Sequence, residues 1–225
     1  MKYIKIYVVI LLFCFLSCIS TNIAIAENTK SGAKEYMEKL GIISQDDEIL
    51  KCETLTRRQG LKIAATIKSH GWYPMYSSQS QMQYLNICYD DITDNTEDCN
   101  LVVMSTIQQI LRGKYDVNEN RIADLDSTLT YQDAIIMLER VLFTEWTSEE
   151  LICSEFGAEW WLKWGEEQKL INCGYAMEAI TVDKSAEAIP TDIFLQIAYR
   201  TLYIPRVIET YGGNMEQYHI EAFLK

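Results

Sequence analysis

Histidine is nearly missing from this 225-residue chain: His70 and His219 are its two copies. So little imidazole leaves almost nothing for a histidine-built metal centre, or for a Ser-His or Cys-His nucleophile pair. Proline and glycine are also sparse, at 3 and 10 residues, which excludes a collagen-like or low-complexity linker chain. Basic residues are in deficit, with 20 Lys and Arg against 32 Asp and Glu and a net charge of −12. That sign opposes binding to a phosphate backbone by counterion release, so no nucleic-acid partner is expected. What the chain does have is apolar material, 48% of its residues, with 11% aromatic, enough to build a folded body.

The first 26 residues read as an export signal. Lys2 and Lys5 precede an almost unbroken apolar run from Ile6 to Leu16, and Ala24-Ile25-Ala26 gives the small-x-small pattern of a cleavage site. The mature chain is expected to begin at Glu27. The run is shorter than the roughly 20 apolar residues that span a bilayer, so no membrane span is expected after cleavage. A lesser alternative is a lipoprotein anchored at Cys18, suggested by Phe15-Leu16-Ser17-Cys18. Cleavage removes Cys14 and Cys18 and leaves Cys52, Cys88, Cys99, Cys153 and Cys173, an odd number. Cys88 with Cys99 and Cys153 with Cys173 are the near neighbours in sequence, but the pairing stays open. No C-x-x-C spacing suggests zinc or redox chemistry.

One pattern is written three times. An amphipathic stretch ending at Leu40-Gly41-Ile42-Ile43 is followed by a loop and then Thr54-Leu55-Thr56-Arg57-Arg58-Gln59, with Leu61, Ala64 and Ala65 at helical spacing. The order returns as Met104, Ile107, Ile110, Leu111, then Thr128-Leu129-Thr130-Tyr131-Gln132-Asp133, then Ile135, Leu138 and Leu142. A third copy runs through Trp161, Trp164, Leu170 and Ile171 to Ala188-Ile189-Pro190-Thr191-Asp192 and Leu195, Ala198 and Leu202. Thr56 with Gln59 predicts a capping box, Thr130 with Asp133 imitates it, and Pro190 suits the first turn of the third helix.

Leu40-Gly41-Ile42-Ile43 and Leu55-Thr56-Arg57-Arg58-Gln59 resemble the S-layer homology repeat. Leu129 to Leu138 is similar to its variant in anaerobic Gram-positive bacteria, and Arg200-Thr201-Leu202-Tyr203-Ile204-Pro205 to the close of a third repeat. The resemblance implies an all-α fold of three helix-loop-helix repeats packed as one pseudo-threefold unit. The segments expected are a signal peptide over 1–26, repeats over 27–72, 100–145 and 155–205, an irregular insertion over 73–99 and a tail over 206–225. It further implies a secreted, cell-surface protein, not an enzyme, held non-covalently on the cell wall by an anionic secondary wall polysaccharide. The polymer-binding site falls on Arg57, with Thr56, Arg58 and Gln59 around it. A guanidinium fork beside a helix N-terminus suits a carboxylate. Tyr131 and Thr191 occupy the arginine position in the other copies. They motivate the alternative of an envelope interaction or assembly subunit, touching other envelope proteins without polymer binding. A secreted carbohydrate-active enzyme with unassigned acids is the third reading.

Other groups are read as structural. Trp161 and Trp164, beside Trp160, lie three apart on a helix and suit core packing better than sugar stacking. The acids Asp90, Asp91, Asp94, Glu97 and Asp98 lack EF-hand spacing and suit a solvated face. His70 fits a helix C-terminus. Asp124 and Asp126 are near enough to pair, but no cleft is evident around them. No catalytic residue, metal ligand or cofactor site is assigned.

Overall fold

The computed structural model describes residues 32–44, 47–69, 89–92, 96–142, 149–168, 170–171, 180–209 and 215–218. The expected signal peptide, most of the 73–99 insertion, His70, Asp94, Cys88 and Cys173 lie outside them. The described chain is mostly helical. Helix α1 covers residues 32–39. It is followed by α2 (Arg57–Lys68), α3 (Thr96–Ile107), α4 (Tyr131–Leu142), α5 (Glu149–Phe156), α6 (Trp160–Glu167) and α7 (Thr191–Thr201). Two antiparallel ribbons complete it: β1 (Lys114–Tyr115) with β2 (Arg121–Ile122), and β3 (Arg206–Glu209) with β4 (Met215–Tyr218). Lys114 stands opposite Ile122 in the first and Arg206 opposite Tyr218 in the second. The start of α3 lies upstream of residue 100, inside the stretch read as irregular. Glu97 and Asp98 put negative charge in its first turn, where the helix dipole favours it.

Three helices end in the same way. Ile42 N–H donates to Met37 O at 3.0 Å, Ile110 N–H to Ser105 O at 2.8 Å and Leu170 N–H to Gly165 O at 2.9 Å. Each bond reaches back five residues, as in a Schellman closure, and Gly41 (φ 70°) and Gln109 (φ 61°) supply the left-handed residue in the first two. The turn throws the next apolar pair inward. Ile42, Ile43, Ile110, Leu111, Leu170 and Ile171 are all buried.

The helices that follow begin in a closed cycle of backbone contacts. Thr56 forms a bridge with Thr128, Thr130 with Ala188, and Pro190 with Thr54. Arg57 N–H donates to Ser127 O at 2.9 Å, Tyr131 N–H to Glu187 O at 3.0 Å and Thr191 N–H to Glu53 O at 2.9 Å. A first-turn N–H has no partner within its own helix. Here each is satisfied by the extended segment leading into another helix of the trio, and the last returns to the first. Leu55, Leu129 and Ile189 each precede one of these starts and are 1%, 0% and 0% exposed. Helix α2 packs on α4, α4 on α7 and α7 on α2. Gly60 lets α2 approach closely, since a Cβ there would stand 2.6 Å from Leu129 Cδ2. Outside this trio α3 lies on α2, α6 on α4 and α5 on α6. Trp161 and Trp164 are buried in that outer layer, in the core role read from their spacing.

Candidate functional site

Thr56, Arg57, Arg58 and Gln59 come together at the N-terminus of α2. Thr56 is extended at φ −81° and ψ 161° and caps the helix. Gln59 N–H donates to Thr56 Oγ1 at 3.3 Å, while Thr56 N–H donates to Gln59 Oε1 at 2.9 Å. The capping box expected from the sequence is therefore present, and both side chains are occupied in starting the helix.

Arg57 points inward. Its side chain is 8% exposed, and Nη1 donates to Asp133 Oδ2, in the first turn of α4, at 2.6 Å. Nη2 donates to Ala123 O at 3.5 Å, and Nε stands 4.0 Å from Asp124 Oδ2, too far for a hydrogen bond. Lys114 joins the same carboxylates, 2.9 Å from Asp133 Oδ2 and 3.2 Å from Asp124 Oδ2. Two cations thus meet two carboxylates, and the local charge balances. Asp124 adopts φ 56°, and Asp91 holds it there by accepting from Ala123 N–H at 2.8 Å and Asp124 N–H at 2.7 Å. Ser127 Oγ donates to Asp124 Oδ2 at 2.8 Å. Arg58 is 34% exposed and binds Asp98 and, at 2.8 Å, Asp126.

Two acids read as part of a solvated face, Asp91 and Asp98, therefore have partners in the fold: Asp91 braces the turn at Asp124, and Asp98 binds Arg58. Asp124 and Asp126, read as near enough to pair with each other, turn instead to Lys114 beside Arg57 and to Arg58. Sequence spacing could not pair them, because each partner comes from a distant part of the chain. The usable signal was that Asp133 falls at the third helical position after Thr130, where a carboxylate lies close to the start of its own helix and within reach of a neighbour. Thr130 Oγ1 does accept from Asp133 N–H at 3.2 Å, while Asp133 Oδ2 goes to Arg57 and Lys114.

The positions corresponding to Arg57 are filled differently. Tyr131 is buried, with Lys184 Nζ 5.8 Å from its ring centroid. Thr191 is also buried, and its Oγ1 donates to Cys52 O at 2.7 Å. Pro190 is the N-cap of α7 rather than a residue of its first turn, fixed at φ −61° and ψ 142° by the bridge to Thr54. A cavity of about 420 Å³ opens beside it, lined by Lys34, Cys52, Glu53, Thr191 and Asp192 among others. A second, of about 490 Å³, lies between the end of α3 and the β1–β2 ribbon. Among the described residues no group of three or more His, Cys, Asp or Glu is arranged to hold a metal ion.

No protein-family model matches the chain, and a search of curated proteins finds no significant match.

A buried carboxyl lies away from this site. Glu139, on α4, is 0% exposed, and neither carboxyl oxygen has a hydrogen-bond partner among the described residues. Burial in an apolar surrounding, with the negative charge of Glu167 nearby, raises its pKa well above the usual carboxyl range. Helical periodicity marks position 139 as core, and a carboxylate there was the available sequence signal.

Proposed function

We propose that the chain is an exported, non-enzymatic interaction subunit of the bacterial cell envelope, built from three helix-loop-helix units of S-layer-homology type arranged about a pseudo-threefold axis. The cycle of bonds from Arg57 to Ser127, Tyr131 to Glu187 and Thr191 to Glu53 supports that architecture, since the same donor position meets the same acceptor position three times. The interaction role is supported over attachment through Arg57 by one observation: the guanidinium that would grip a wall carboxylate already grips Asp133 at 2.6 Å, with 8% of its side chain exposed. To bind an external anion there, the polymer would have to displace an ion pair made in a poorly hydrated place. It would also have to approach a body of net charge −12.

Co-sedimentation with protein-free wall sacculi tests the reading. The purified exported protein is expected to stay in the supernatant, at low salt as well as at physiological salt. Pelleting that is abolished by Arg57→Ala in a variant that still folds would return the function to polysaccharide attachment at Arg57.

A further inference from the structure

At the seam between α4 and α6 the fold buries an acid with nothing to answer its charge. Glu139 is fully buried, and both its carboxyl oxygens lack a hydrogen-bond partner among the described residues. Its place on α4 is fixed from two sides. One turn earlier, Ile135 faces α6, since a Cβ on Gly165 would stand 3.1 Å from Ile135 Cγ2. Residues four apart share a helix face, so Glu139 continues that face along α6. Glu139 also follows Tyr131, the first residue of α4, at the same separation as Tyr199 follows Thr191, the first of α7. Tyr199 lies against an outer helix, its ring centroid 5.7 Å from that of Tyr36 on α1. Where α7 presents a phenol to its outer helix, α4 presents an acid.

Burial disfavours the ionised form of Glu139, and the negative charge of Glu167 on α6 adds to that. The cations at this end are engaged elsewhere. Lys68 of α2 donates to Arg140 O, Arg140 Nη1 to Ile110 O at 3.0 Å, and Arg200 Nη1 of α7 to Leu170 O at 3.0 Å. On α6 itself, Lys163 pairs with Glu166 at 3.6 Å. Helix α5 rests on α6 and α6 on α4, so this seam fastens both outer helices and keeps Trp161, Leu162 and Trp164 buried. We propose that Glu139 is a proton-controlled latch: with its proton on, α6 stays closed on α4, and loss of the proton lets α5 and α6 come away while α2, α4 and α7 keep their cycle of contacts. The closed form holds a proton that the open, hydrated form gives up above the ordinary carboxyl value near 4.5. Each further pH unit therefore favours opening about tenfold, until the closed group itself ionises. Opening presents an apolar, tryptophan-rich face to solvent, whatever partner the molecule has.

Backbone hydrogen exchange of the purified exported protein, read by mass spectrometry from pH 5 to 8 beside Glu139→Gln at each pH, tests it. Protection is taken relative to the unstructured chain at the same pH, which removes the intrinsic pH dependence of exchange. In α5 and α6 of the wild type it should fall about tenfold per pH unit relative to the variant, and it should be lost while α2 and α7 remain protected. Glu139→Leu, which cannot ionise and brings no polar group, should behave as Glu139→Gln does and serves as the reference if the amide variant fails to fold. The wild type carries its own control, because α6 should lose protection with rising pH and at every pH be less protected than α7. Protection of α6 that does not change with pH, or that changes equally in the variants, overturns the proposal. So does protection that is the same in α6 as in α2 and α7 throughout, which would mean that the molecule opens only as a whole.

Discussion

Arg57 and Asp133 make their ion pair where water reaches little, and the consequence of breaking it follows from what is left behind. Arg57→Ala strands a partly buried carboxylate that Lys114 alone then serves. We expect a loss of about 2 kcal/mol, within the range for hydrogen bonds to charged groups, read as a lower urea midpoint. Arg57→Lys should recover part of it, because an ammonium reaches Asp133 but cannot also span to Ala123 O. Glu139 gives the opposite kind of prediction. Its carboxyl stays protonated in the folded protein at pH values where the unfolded chain ionises, so the native state binds the extra proton. Stability should therefore fall as pH rises above the unfolded value near 4.5, at about 1.4 kcal/mol per unit for one proton, until the folded group itself ionises. Glu139→Gln should remove that slope. Thermal melts of both proteins from pH 4 to 8 should show the variant gaining on the wild type at the alkaline end; parallel curves would show that Glu139 ionises normally.

The β1–β2 ribbon depends on one residue of backbone. Gly113 enters it at φ 76°, and a Cβ there would meet Ile122 O at 2.9 Å and Tyr89 Cε1 at 2.5 Å. Gly113→Ala is expected to cost about 1–3 kcal/mol from strained backbone alone, and more if the ring of Tyr89 is displaced. Loss of the Arg121–Tyr89 stacking would show in the tyrosine near-ultraviolet signal. Helices α2, α4 and α7 were legible in the sequence, because Leu61 with Ala64 and Ala65, Ile135 with Leu138, and Leu195 with Ala198 recur at a spacing that only a helix puts on one face, and because Thr56 and Gln59 specify a cap by local chemistry. The ribbon at Arg206–Glu209 and Met215–Tyr218 was not: residues 206–225 read as a tail with no strand in it. Of the site, its position at the start of α2 was legible, while the occupation of Arg57 was not. A local pattern says that an arginine stands beside a helix N-terminus; it does not say that Asp133, 76 residues away, is already there.

In the whole molecule, helices α2, α4 and α7 each lean on the other two, so none should keep its fold once a third of the cycle is gone. Deleting residues from 180 onward exposes the apolar faces of α2 and α4 and strips Tyr131 N–H and Pro190's partner strand of their contacts. The expected outcome is loss of a cooperative melt, followed by circular dichroism, and a truncated protein melting sharply at the unchanged temperature would show that the first two helix pairs stand alone. The bond from Thr191 Oγ1 to Cys52 O joins residues 139 apart in the chain. A ribosome makes Cys52 early and Thr191 late, so this seam of the cycle cannot close until most of the chain has been made. Until then the apolar edges of α2 and α4 that α7 covers stay open to any other chain that meets them.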